Sequence, residues 1–220
     1  MLRERLEQVR SRIENAAARV GRNAGDVLLL AVTKKFPPAV MIEAFELGLR
    51  EFGENYVQEF EDKRPALNMV AGSASFHLIG HLQSNKTKKA AELFQVIQTV
   101  DSVRLVRRLA ETEAKLELMI EVKLSHEDAK HGASPDAIQE IKDAAAAYPN
   151  LTLTGLMTMP PWTEDAEQSR PYFSRLRELA EKNGLKKLSM GMSHDLEAAI
   201  EEGATCVRIG TALFGPRKKA

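Results

Sequence analysis

The sequence predicts an α/β chain closed into a single (β/α)8 barrel of the TIM type, with an extra N-terminal helix. Three observations carry that expectation. Eight short apolar runs follow one another from Leu28 onward, each separated from the next by a segment of helix length. Strands spaced in that way pair in parallel through crossover connections. The chain has 220 residues, 44% of them hydrophobic, which suffices for one sizeable core and favours closure over an open sheet. A doubly wound open sheet is the alternative, but it usually needs a glycine-rich turn after its first strand, and "AVTKKFPP" has no glycine.

The elements follow in order. Leu2, Leu6, Val9, Ile13, Ala16 and Val20 recur at helical spacing, which predicts an amphipathic N-terminal helix. The eight predicted strands are "LLLAVT", "REFGE", "FHLIG", "VIQTV", "LELMIEVK", "LTLTGLM", "KLSM" and "CVRIG". Helical patterns cover Ala39–Leu47, Lys86–Leu93, Ser102–Lys115, Pro135–Ala147, Ala166–Asn183 and His194–Glu202. No repeat, linker or low-complexity tract divides the chain, so residues 1–220 are expected to form one domain.

Composition excludes several classes of function. There are 31 basic and 31 acidic side chains, so no global field attracts nucleic acid or an anionic membrane. The terminal "RKKA" is too short to change that and reads as a solvated tail. A single cysteine, Cys206, excludes an internal disulfide and fits a reducing compartment; within "TCVRIG" it reads as a packed small residue. No run of eighteen apolar residues exists, and the charged N-terminus has no secretory core. Glu4, Glu7 and Glu14 argue against a transit peptide, which leaves a cytoplasmic location. With no exposed apolar helix in the pattern, a monomer is expected.

In a parallel barrel the working face is the C-terminal end of the strands, and phosphate commonly binds in the loops after strands seven and eight. After strand seven comes "SMGMSHDLEAAI". Gly191 allows close backbone approach, and Ser193 stands where a helix N-cap should be, with free N–H groups behind it. Asp195 and Glu197 lie in that first turn and would repel an anion unless they point away. After strand eight comes "RIGTALFG", where Gly210 and Thr211 offer N–H groups and a hydroxyl, and Arg208 a planar cation.

Closure sets strand one beside strand eight. Alternation puts Leu28, Leu30, Val32 and Lys34 on one face and Lys35 on the other. If the first set faces inward, Lys34 rises at the mouth near both anion loops. A confined lysine is partly neutral, and a neutral amine forms a Schiff base with an aldehyde. An amine beside a phosphate cradle suits a phosphorylated aldehyde, and pyridoxal 5′-phosphate has both groups.

The stretches "LLLAVTKKFPP", "FGENYVQE", "FHLIGHLQSNK", "TVDS", "GLMTMPP", "LSMGMSHDLEAAI" and "VRIGTALFG" span the chain almost from end to end. Together they resemble the pyridoxal phosphate homeostasis proteins, the proline synthase co-transcribed family. That resemblance implies a barrel similar to the N-terminal domain of alanine racemase. It also implies roles for particular residues. Lys34 would be the Schiff-base lysine. Ser193, Gly210 and Thr211, with backbone from Met192, would hold the phosphate, and Arg208 would face the pyridine nitrogen. Asn55, His77 and Asn85 would line the pocket, and Met157 would lie against the ring. An arginine cannot accept a proton, so the pyridine nitrogen stays unprotonated and the cofactor is a weaker electron sink than beside a carboxylate. That argues against transamination and fits racemase-like chemistry or simple carriage.

The chain departs from the family pattern in two places and keeps it in a third. Phe36 stands where many members have a second lysine, and Lys123 where an asparagine is common. Lys130 and Gly132 keep a lysine-x-glycine pattern, with a role for Lys130 at the pocket rim or in cofactor release. Other signals are set aside. His77 and His81 stand four apart without a third metal ligand, and "HEDAKH" has the wrong spacing for a zinc protease. "EDKR" near Asp62 reads as a solvated helix face, and Trp162 as a shield over a barrel loop.

The function expected is storage, buffering or delivery of pyridoxal phosphate inside the cell, without robust catalysis and with transient contact to the apo-enzymes that need the cofactor. Two enzyme readings compete with it. A single-domain racemase would need an acid–base partner, and Tyr56, Tyr148 and Tyr172 lie in no motif that supplies one; ending at Ala220, the chain is expected to lack the second domain of a racemase. A Schiff-base aldolase acting on sugar phosphates would be colourless.

Overall fold

The computed structural model describes residues 1–68, 70, 72–125 and 131–216. It opens on helix α1 (Leu2–Arg19). Eight strands then follow: β1 (Leu28–Val32), β2 (Glu51–Glu54), β3 (Ser75–Leu78), β4 (Val96–Val100), β5 (Leu116–Glu121), β6 (Leu151–Met157), β7 (Lys187–Met192) and β8 (Cys206–Ile209). Between and after them run α2 (Pro38–Glu46), α3 (Val57–Lys63), α4 (Thr87–Leu93), α5 (Val103–Ala110), α6 (Ile138–Ala146), α7 (Arg170–Lys182), α8 (Leu196–Glu201) and α9 (Thr211–Phe214).

The strands close in sequence order, and every neighbouring pair is parallel. The seam is β1 on β8, with Leu28 opposite Cys206 and Ala31 opposite Ile209. All eight predicted strands are present. Helices α6 and α7 start later than their patterns suggested, because one-turn 3₁₀ segments open those regions at Pro135–Ala137 and Ala166–Ser169.

Two apolar layers result. The large one lies between sheet and helices and takes Leu29 and Ala31 of β1. A small one inside the barrel takes Leu30 and Val32 with Ile79 and Cys206. Alternation along β1 therefore runs as the pattern predicted. Helix α1 packs on α8 and α9 through Leu2, Leu6, Val9, Ile13, Ala16 and Ala17. Val20 is not on that face: α1 ends at Arg19, and Val20 beyond it is 43% exposed. Cys206 is buried. Among the described residues no helix is long and apolar enough to cross a membrane.

Candidate functional site

Lys34 sits in the turn between β1 and α2, and that turn is built by its neighbours. Pro38 occupies the first position of α2, where a missing N–H costs nothing. Lys35 takes a left-handed backbone, φ 64°, which an L-residue with a side chain adopts at a cost of about 1–2 kcal/mol. Glu59 of α3 accepts a hydrogen bond from the Lys35 N–H and holds it there. On the other side of Lys34, Lys63 Nζ donates to the Thr33 carbonyl at 3.0 Å.

Lys63 also pairs with Glu54 at 2.9 Å and with Glu59 at 2.6 Å, and Thr33 Oγ1 donates to Glu54 Oε1 at 2.8 Å. Glu54 is fully buried and Lys63 nearly so. Burial raises the Glu54 carboxyl above its ordinary value, and the Lys63 charge opposes that rise. "EDKR" is thus no solvated face at Lys63: the helix turns this lysine inward to meet the carboxylate at the end of β2. This clamp was missed in the sequence. A glutamate ending an apolar strand, nine residues before a lysine on the next helix, was the available signal.

Lys34 is half-buried and lines a cavity of about 560 Å³ at the C-terminal ends of the strands, a volume usual for small-molecule sites. Asn55, Met192, Ser193, Arg208, Gly210 and Thr211 line the same cavity. Asn55 Oδ1 is buried with no hydrogen-bond partner in the protein, so it presents an unused acceptor. Its backbone lies so close to Gly80 that a Cβ there would come within 2.1 Å of the Asn55 carbonyl oxygen. Exposed Trp162 and Met159 form part of the rim, and the Trp162 ring stands 6.3 Å from that of His194.

The two predicted anion loops are joined. Ser193 Oγ accepts the Ala212 N–H at 3.2 Å, tying the turn after β7 to the one after β8. Ser193 is not the N-cap; Asp195 is. The Asp195 carboxylate turns back to accept the Met192 N–H at 2.7 Å, so that amide is already engaged. Glu197 is drawn outward by Arg12 of α1, in two bonds of 2.6 and 2.7 Å, and Arg12 also donates to the Ser193 carbonyl at 3.0 Å. Both acids that threatened anion binding therefore have other partners. Gly191, at φ 89°, lets α8 press close: a Cβ there would stand 2.4 Å from that of Ala199.

Arg208 is 3% exposed and donates to Ser189 Oγ and to the Thr158 carbonyl, both at 2.8 Å. Burial disfavours its charge, while Asp195 and Glu121 favour it. Glu121 lines an adjoining cavity of about 380 Å³ that shares Met159, Trp162 and Met192 with the first. Burial pushes its carboxyl up to about 7, against the pull of Arg208. The rings of His81 and His131 stack there at 3.8 Å.

Three predicted pocket residues are not brought to this cavity. His77 points inward one layer deeper than Ile79, which takes the mouth position on that face, and it lines a cavity at the N-terminal end of the barrel. Met157 is likewise buried below Met159. Asn85 is exposed in the turn opening α4, on a surface cleft with Lys88, Arg104 and Arg108. Phe36, at the position of the family's second lysine, packs on Phe214 with ring centroids 5.3 Å apart. Lys123 pairs its backbone with Ala133. Lys130, His126 and the "RKKA" tail lie outside the described residues.

Residues 5–218 match the family model "Alanine racemase, N-terminal domain". The chain is 45% identical over 220 residues to the pyridoxal phosphate homeostasis protein of Pseudomonas aeruginosa, covering 97% of this chain and 95% of that one. Against the protein of the same name from Aquifex aeolicus the identity is 42% over 225 residues, with 98% of each chain covered. The structure of PipY from Synechococcus elongatus PCC7942, with PLP bound, superposes with a TM-score of 0.84 at 34% identity, covering 98% of this chain and all of that one. The fold, the site at its mouth and these full-length similarities agree: the chain belongs to the pyridoxal phosphate homeostasis protein family.

Proposed function

We propose that this chain, acting as one domain over residues 1–220, binds pyridoxal 5′-phosphate at the barrel mouth. It stores, buffers and delivers the cofactor rather than turning over a substrate. The observation that carries the reading is the convergence of Lys34, Asn55, Arg208, Ser193 and Gly210–Thr211 on one cavity. The fit is chemical as well: a primary amine for an aldehyde, hydroxyl and backbone donors for a phosphate, and the buried acceptor of Asn55 for a ring hydroxyl.

When bound, the cofactor supplies an aldehyde that condenses with an amine and releases water. Lys34 is the amine, held between the clamped Thr33 and Lys35. Ser193, Gly210 and Thr211 hold the phosphate. Arg208 would face the pyridine nitrogen and, having no acceptor, would leave it unprotonated. Met192, Ile79 and Val32 wall the ring from water.

Among the described residues no tyrosine lines the cavity, which supports carriage over racemisation. The chain works in the cytoplasm as a monomer and meets the apo-enzymes it supplies only transiently, with Tyr56, Met159 and Trp162 as exposed apolar groups around the mouth. Borohydride reduction of the loaded protein followed by peptide mapping tests the anchor. The reading requires one equivalent of label on Lys34. Label spread over other lysines would contradict it.

A further inference from the structure

His77 lies one layer below the mouth, yet it is joined to Arg208 by a chain of hydrogen bonds through the barrel interior. Arg208 Nη1 donates to Ser189 Oγ at 2.8 Å. The Ser189 hydroxyl donates to Gln98 Oε1 at 2.6 Å. Gln98 Nε2 stands 2.9 Å from His77 Nδ1, and His77 Nε2 stands 2.7 Å from Glu51 Oε2. Ser75 Oγ stands 3.3 Å from the same Nε2. Ser189 and Gln98 are almost completely buried.

The two ends set the direction of every link. A guanidinium only donates and an ionised carboxylate only accepts. Burial alone would raise the Glu51 carboxyl, but the hydrogen bond and charge of His77, the hydrogen bond from Ser75 and the charge of Lys187 leave it lowered. Glu51 then requires hydrogen on His77 Nε2, and in the neutral ring this makes Nδ1 an acceptor. That acceptor orients the Gln98 amide, and its oxygen takes the Ser189 hydroxyl hydrogen. A Ser189 lone pair is thereby turned to Arg208. Reversing the amide would set two donors on Ser189 Oγ and demand a second proton on the ring.

We propose that Ser189, Gln98 and His77 are positioning residues for Arg208. Through them Glu51 fixes the guanidinium in the one orientation that meets the pyridine nitrogen of pyridoxal phosphate. This rests on the functional reading above. Any break in the chain frees Ser189 to rotate and lets the guanidinium swing on its remaining contact with Thr158.

The test has a ligand-free arm and a loaded arm, both on the full chain. In the ligand-free arm, ¹⁵N NMR of wild-type His77 should show hydrogen on Nε2 and none on Nδ1. In Gln98→Glu the ring faces carboxylates on both sides and should carry hydrogen on both nitrogens. Hydrogen on wild-type Nδ1 overturns the proposal without reference to any cofactor. In the loaded arm, Gln98→Met and Ser189→Ala should bind pyridoxal phosphate about tenfold more weakly, the effect of one lost charge-assisted hydrogen bond. Their bound-cofactor absorbance maximum should shift, while borohydride still fixes the ligand on Lys34. Wild-type affinity and an unshifted maximum in both variants overturn the proposal and leave the functional reading standing. A wild-type chain that takes up no pyridoxal phosphate overturns both.

Discussion

Lys63 reaches from the end of α3 to the Thr33 carbonyl at 3.0 Å, one residue before Lys34, while pairing with buried Glu54 at 2.9 Å. One ammonium thus neutralises a core carboxylate and fixes the turn that carries the candidate anchor. Removing it strands Glu54. Lys63→Met should destabilise the fold by about 3–5 kcal/mol, the range for breaking a buried ion pair. Urea unfolding checks this; a loss under about 1 kcal/mol would mean the clamp carries no weight.

Glu121 gives the fold a pH dependence of known sign. Its carboxyl is raised from 4.5 to about 7, chiefly by burial. Below about 4.5 it is neutral in both folded and unfolded chains, so its contribution is fully present there. As pH rises to about 7 the unfolded chain loses this proton and the folded chain keeps it, so stability falls by up to about 3 kcal/mol. Carboxylates with lowered values, such as Glu51 and Glu197, act in the opposite direction. The measurement is therefore a difference: wild type minus Glu121→Gln should lose stability from pH 4.5 to 7. A flat difference would contradict it.

Arg12 belongs to the anion site although it never faces it. It holds the Ser193 carbonyl and draws Glu197 aside. Arg12→Ala should weaken pyridoxal phosphate about fivefold, an effect of about 1 kcal/mol for a half-exposed pair. Affinity for pyridoxal, which lacks the phosphate, should not change, and adding Glu197→Gln should recover part of the loss. Equal losses for both ligands would show that Arg12 acts on the fold alone.

Gly80 is a packing requirement for Asn55. In Gly80→Ala the added carbon would stand 2.1 Å from the Asn55 carbonyl oxygen, a backbone atom that must move. Overpacking of this kind costs about 1–3 kcal/mol. Thermal unfolding and cofactor titration should both register it, and unchanged affinity would remove Asn55 from the site.

The barrel was legible because its signals are local and repeated: each strand is an apolar run and each crossover a helix-length pattern. Lys34, Ser193, Arg208, Gly210 and Thr211 were legible because they stand at strand ends, where alternation and the barrel rule together fix direction. Depth along a strand was not. His77 and Met157 have the right face but sit one layer below the mouth, and a two-residue offset leaves no trace in alternation. The Ser189–Gln98–His77 chain was invisible because it joins polar residues far apart in sequence that only closure brings together, whereas Glu54 and Lys63 stand nine apart and were missed because polarity alone does not show that a helix turns its lysine inward. Arg12 carried no signal in the sequence, because its partners lie at separations of 181 and 185 residues.

The most direct test of the account is the absorbance spectrum of the purified chain loaded with pyridoxal phosphate, recorded beside Lys34→Ala treated identically. Wild type should show the yellow Schiff-base band and the variant should lack it while keeping a folded structure by circular dichroism. Two coincident spectra would mean that the cofactor is held elsewhere, and that the convergence on Lys34 has been misread.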